Sequence, residues 1–240
     1  MARIIAIVSG KGGVGKTTVV SNLGIALSKL QKKVTLVDCN VTASHLGFCF
    51  GFYYYPKTLN HVLKGEAELA DATYQTSSID IIPASLSLED LIGLDIGNLR
   101  SFLKGIESDI VLLDSAPGLG KEPLSVLQAS EEIIFVTIPY MNAIADVIRC
   151  YKVVAQFGID VLGIVLNMVH GYPHELKSSD VERLTGLPVI AEIPYDENVK
   201  KSLAVGKCIL EFAPFSPASI TIKKLASDLT CLLYTSPSPR

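Results

Sequence analysis

Short apolar runs alternate along the chain with segments whose apolar residues return every three or four positions. The runs are Arg3–Ser9, Lys33–Asp38, Ile79–Pro83, Ile110–Asp114, Ile133–Ile138, Val161–Asn167 and Pro188–Ala191. Strands that are apolar on both faces are what a covered parallel sheet requires. Between them, helical patterns fall at Lys16–Leu30, Thr58–Lys64, Gly97–Gly105, Pro123–Gln128, Ala143–Phe157, Ser179–Leu184, Glu197–Val205 and Pro217–Leu232. This alternation predicts an α/β fold: a doubly wound, mostly parallel sheet with helices on both faces. Right-handed crossovers then bring the strand C-termini to one edge. No repeat or linker divides the chain, so residues 1–233 are expected to form one domain. Residues 234–240, Tyr-Thr-Ser-Pro-Ser-Pro-Arg, read as a disordered tail.

Composition narrows the class. At 240 residues and 49% hydrophobic content the chain can bury a large core. The mean hydropathy of +0.40 fits buried parallel strands. The N-terminal apolar run is too short for a signal peptide, and no run approaches the ~18 apolar residues of a membrane span. A net charge of −3 gives no global attraction to nucleic acid. The five cysteines show no CxxC spacing, read as buried thiols of a reducing cytoplasm, and lack the paired motif an iron–sulfur carrier needs.

The chemistry concentrates where the first apolar run meets the first helix. Gly10-Lys11-Gly12-Gly13-Val14-Gly15-Lys16-Thr17-Thr18 matches G-x-x-x-x-G-K-[ST] between a strand and a helix, the context that makes it a phosphate loop. Glycines let backbone N–H groups turn onto phosphates, and the helix N-terminus adds partial positive charge. Lys16 is expected to reach the β- and γ-phosphates, and the Thr17 hydroxyl to ligate Mg²⁺. A second constellation is the strand ending in Asp114, followed by Ser115-Ala116-Pro117-Gly118. Its buried acid is placed to serve the metal. A third is the strand ending in Asp38, near the metal's water shell. The histidines of His170-Gly-Tyr-Pro-His174 are not expected to bind metal, because Gly171 and Pro173 break the helix that would align them. The run Phe52-Tyr53-Tyr54-Tyr55-Pro56 suits stacking on a base or an exposed face toward a partner.

These residues resemble the MinD/ParA family of deviant Walker A P-loop ATPases, nearest to its MinD-like branch. The family marker is Lys11, a second lysine five residues before Lys16. The likeness continues through Asp38, Leu112–Gly118, Asp146, Arg149, Gly163–Asn167 and Ile193–Asp196. It implies ATP and Mg²⁺ as ligands, with Gly10–Thr18 around the phosphates and Thr17, Asp38 and Asp114 at the metal. Asn167 would read the adenine edge, and Pro194–Asp196 would pack around the base. Lys11, Lys16, Asp38 and the residue at position 40 would form the catalytic set, with Lys11 crossing to the phosphates of a second subunit. The implied protein is a slow ATPase that dimerises face to face with ATP, acts through an unidentified protein partner, and serves spatial organisation or cell-division site selection.

One departure stands out. The family ends its second strand Asp-x-Asp, whereas this chain has Asp38-Cys39-Asn40. Asn40 can hydrogen-bond a water but cannot take its proton, which keeps open an ATP-binding scaffold with little hydrolysis. A ParA-type partitioning ATPase needs a basic face for DNA, and only Lys29, Lys32, Lys33, Lys200 and Lys201 form short runs. Sequence-specific nucleic-acid binding is not expected. Ile222, Leu225, Leu229 and Leu232 share one helical face, read as the last core helix rather than a lipid anchor. The expected location is cytoplasmic, with peripheral attachment to the inner face of the cell membrane reserved for a full-length natural form. Membrane binding is not expected of this chain.

Overall fold

A computed structural model describes residues 2–232. The expected tail lies outside the described residues. The chain runs β1 (Arg3–Val8), α1 (Lys16–Lys29), β2 (Val34–Asp38), α2 (Leu59–Leu63), β3 (Tyr74–Gln75), β4 (Asp80–Ile82), α3 (Leu99–Leu103) and β5 (Ile110–Asp114). It continues with α4 (Lys121–Ala129), β6 (Glu132–Thr137), α5 (Met141–Val154), β7 (Asp160–Val169), α6 (Ser178–Thr185), β8 (Val189–Pro194), α7 (Glu197–Ala204), α8 (Ile209–Phe212) and α9 (Pro217–Leu232). The strands form one eight-stranded sheet in the order β3-β4-β2-β5-β1-β6-β7-β8, parallel except for the β3–β4 pair. This is the expected doubly wound α/β fold.

The strand period of two explains how one sheet serves two cores. On β1, Ile5 and Ile7 pack toward α1 and α9, while Ala6 and Val8 belong to the opposite core with Leu113, Val126 and Val147. Ile222, Leu225 and Leu229 of α9 lie in the first of these cores, each 2% exposed. Two elements escaped the sequence pattern. The edge strand β3 has only two residues, too few to show alternation, and α8 has a single turn, too short for helical periodicity. The predicted strand at Pro188–Ala191 is displaced to Val189–Pro194, which carries Pro194 to the sheet's C-terminal edge.

Register then sets the site. β1 lies between β5 and β6, and β2 beside β5, with Asp38 opposite Asp114 and Ile7 opposite Asp114. The phosphate-loop motif and both strand-end acids thus share one edge.

Candidate functional site

The turn between β1 and α1 is built for close approach. Gly15 caps α1 with a left-handed φ of +90°, and a Cβ there would stand 2.3 Å from Asn167 Nδ2. A Cβ on Gly10 would stand 2.6 Å from the Asp146 carbonyl carbon, so neither position accepts a side chain. Ser9 Oγ donates to the Lys11 carbonyl at 2.7 Å, and the Gly118 N–H donates to the Ser9 carbonyl at 2.8 Å. The turn after β5 is thereby tied to the loop after β1. The first turn of α1 has no acidic residue, which leaves its N–H groups and its positive dipole end for an anion.

A cavity of about 890 Å³ opens over this loop. Gly12, Gly13, Gly15, Lys16, Thr17 and Thr18 line it, with Asn40 and Thr42 from the loop after β2 and Pro117 and Glu122 from beyond β5. Gly10, Lys11 and Val14 do not. Gly10 packs on Asp146, Lys11 is exposed, and Val14 is buried. Lys16 is itself only 8% exposed. Burial lowers its pKa below the usual lysine value, with the Asp114 charge opposing.

The two strand-end acids are buried and differ in their partners. Thr17 Oγ1 donates to Asp114 Oδ2 at 2.6 Å, but the buried Asp114 Oδ1 has no hydrogen-bond partner. Burial first, then the neighbouring Asp38 charge, pushes Asp114 up to about 7, against the Thr17 hydroxyl and the Lys16 ammonium. Asp38 accepts bonds from the N–H of Asn40 at 3.1 Å, Ser44 Oγ at 2.8 Å, and the N–H groups of His45 and Leu46 at 3.2 Å. Burial raises its pKa too, while those bonds oppose the rise. Asp38 is therefore the better-supported anion, and Asp114 the acid short of positive partners. An orphaned carboxylate oxygen beside a hydroxyl suits a hard divalent cation that takes its remaining ligands from phosphate and water. Among the described residues no cluster of three or more His, Cys, Asp or Glu forms an all-protein metal cage.

Asn40 donates through Nδ2 to the Ala43 carbonyl at 2.7 Å, so its amide nitrogen holds the loop. A second cavity, of about 200 Å³, is lined by Thr18, Asn167, Pro194, Tyr195, Asp196 and Lys200 among others. Asn167 Nδ2 donates to the Val14 carbonyl at 2.8 Å, leaving Oδ1 as an acceptor. The Asp196 carboxylate caps α7, accepting from the Asn198 N–H at 2.9 Å. Tyr195 stacks on His170 at 4.4 Å between centroids, and His170 on Tyr172 at 4.9 Å. His174 stacks in turn on Tyr172 at 5.3 Å, so both histidines sit in an aromatic stack. Phe52–Tyr55 line neither of these two cavities.

Sequence reasoning missed Ser44, Glu122 and Glu175. Ser44 fastens Asp38, and Glu175 gathers the N–H groups of His170, Gly171 and Tyr172 under the stack. Glu122 carried the one usable signal, an acid in the first turn of the helix that follows the Asp114 turn.

Known proteins are similar to this chain along most of its length. The family model described as the CobQ/CobB/MinD/ParA nucleotide binding domain matches residues 5–209. An ATP-binding protein of Methanocaldococcus jannaschii is 35% identical over 98% of this chain and 90% of its own length. The antiactivator FleN of Pseudomonas aeruginosa is 29% identical over 95% of this chain and 86% of its own. The septum site-determining protein MinD of Pyrococcus horikoshii, solved with Mg-ADP, superposes with a TM-score of 0.92 at 32% identity, covering 97% of this chain and 98% of that one. With its phosphate loop, paired strand-end acids and matching sheet, the chain belongs to the CobQ/CobB/MinD/ParA family of nucleotide-binding domains.

Proposed function

We propose that this chain is a Mg²⁺-dependent ATPase switch of the MinD kind. It binds ATP, closes a face-to-face dimer, passes its state to a protein partner, and resets by hydrolysis to ADP and phosphate. The observation that carries this reading is the buried Lys16 beside the Thr17–Asp114 pair, with Asp114 Oδ1 unpartnered. Thr17 and Asp114 would hold Mg²⁺, with Asp38 beside them; once bound, the metal neutralises charge on the β- and γ-phosphates. Lys16 and the backbone N–H groups from Gly12 to Thr18 bind the phosphates. Asn167 and the Pro194–Asp196 segment take the base. The Mg-ADP of the Pyrococcus MinD supports both ligands.

Lys11 lies outside its own subunit's cavity and is exposed, as a residue serving a second subunit's phosphates must be. The wild-type chain is expected to sediment as a dimer with Mg·ATP and as a monomer with Mg·ADP. Lys11→Ala should bind ATP within about threefold of wild type yet remain monomeric. A Lys11→Ala chain that dimerises normally would remove the trans role. Failure of the wild type to bind ATP would remove the whole reading.

Burial of Ile222, Leu225 and Leu229 commits the apolar stripe of α9 to the core, and no helix among the described residues is long and apolar enough to cross a membrane. An interfacial anchor needs such a stripe free and flanked by basic residues. The 240-residue chain is therefore expected to stay in the supernatant with anionic vesicles in ATP as in ADP. Pelleting in ATP alone would overturn this expectation and make the α9 stripe a lipid anchor.

A further inference from the structure

Asn40 cannot take a proton, so a proton acceptor for the attacking water has to come from elsewhere on the cavity wall or from the phosphate itself. Asp38 is committed to its loop by four donors, and Asp114, which the reading above gives to Mg²⁺, does not line the cavity. Among the residues lining the 890 Å³ cavity, Glu122 is the sole carboxylate, and it shares that lining with Lys16, Thr17 and Asn40. It stands in the first turn of α4, directly beyond the turn anchored to Ser9 through Gly118. Thr42 Oγ1 donates to Glu122 Oε2 at 3.4 Å, and the Thr42 N–H also bonds the carboxylate. Glu122 is thus linked to the very loop that carries Asn40.

Resting on the ATPase reading above, we propose that Glu122 is the catalytic carboxylate that orients the attacking water and accepts its proton, in place of the acid that Asn40 replaces. The water oxygen forms a bond to the γ-phosphorus as the bond from that phosphorus to the bridging oxygen breaks. ADP leaves with that electron pair. The water's proton passes to a Glu122 carboxylate oxygen and from there to released phosphate or solvent, so the carboxylate is regenerated. Burial raises the Glu122 pKa, the bonds from Thr42 pull it back, and the Asp38 charge adds to the rise. Such a carboxylate is a better proton acceptor than a fully solvated one. The other basic side chain on the cavity wall besides the lysines, His45, is exposed and packs edge-on against Phe48.

The test compares wild type, Glu122→Gln, His45→Gln and the double variant Glu122→Gln with Asn40→Asp, each as the full chain with Mg·ATP. Two readouts are taken: single-turnover phosphate release, and ATP-dependent dimer persistence by sedimentation. Glu122→Gln should bind ATP normally, lose about 10²-fold in rate, and hold the dimer correspondingly longer. His45→Gln should turn over like wild type. The double variant should recover at least about tenfold, because an acid at position 40 lines the same cavity. A Glu122→Gln chain that binds ATP and hydrolyses it within about threefold of wild type would overturn the assignment, as would a loss in His45→Gln instead. A wild type that binds ATP, dimerises and never hydrolyses it would overturn the assignment together with the ATPase reading, whereas the Glu122→Gln result alone leaves that reading standing.

Discussion

Lys16→Ala is expected to weaken Mg·ATP binding by about 10²–10³-fold, or about 3–4 kcal/mol. The ammonium is nearly buried in the wall of the 890 Å³ cavity, where a charge-assisted bond is worth more than in water. Truncation removes the cation and leaves several phosphate charges facing only backbone N–H groups and the helix dipole. The fold should survive, because burial already makes the lysine's charge costly without ligand. Lys16→Arg is expected to rescue little, since the planar guanidinium does not replace a compact point charge in a cradle closed by Gly15 and Asn167. Calorimetric titration at fixed Mg²⁺ reads the effect, with circular dichroism confirming the fold. Binding within about threefold of wild type would mean the loop holds its ligand chiefly through backbone, and the assigned role of Lys16 would fall.

Much of this site was legible because its parts are written as strand ends. A buried apolar run that stops at an acid places that acid at the sheet's C-terminal edge, and Asp38 and Asp114 indeed stand opposite each other in register. The spacing of Gly10, Gly15, Lys16 and Thr17 needs only a strand before it and a helix after it, and β1 and α1 supply them. Side-chain partners were not legible. Nothing in Val34–Asn40 announces that Asp38 would be taken by Ser44 and two following N–H groups, because that depends on how the next loop folds back. Glu122 escaped for a similar reason: an acid in a first helical turn is ordinary, and only the loop bearing Thr42 brings it into the cavity. The stacking of His170 on Tyr195 was not legible either, because it depends on two loops distant in sequence.

Asp114→Asn is expected to strengthen the ligand-free fold at neutral and alkaline pH while abolishing Mg²⁺-dependent nucleotide binding. The sign follows from linkage. An acid raised from its ordinary value of 3.8 to about 7 holds its proton more tightly folded than unfolded. Its contribution to stability is then fully present below about pH 4, declines as pH rises toward 7, and stays lost above that. Asp38, raised as well, adds in the same direction. Asparagine cannot ionise, so the variant should escape the Asp114 part of this decline and still accept from Thr17 Oγ1. Wild type and variant should melt together near pH 4, where the carboxyl is protonated. By pH 8 the variant should melt higher by about 3–6 °C, corresponding to about 1–2 kcal/mol in a domain of this size. The wild type should recover part of that gap when Mg·ATP is added, because only the carboxylate offers a cation its unpartnered Oδ1. Thermal melts across pH, with and without Mg·ATP, measure both halves. Parallel pH profiles for the two chains would show that Asp114 keeps its charge at no cost. The strained acid would then be no part of how this fold is prepared for its ligand.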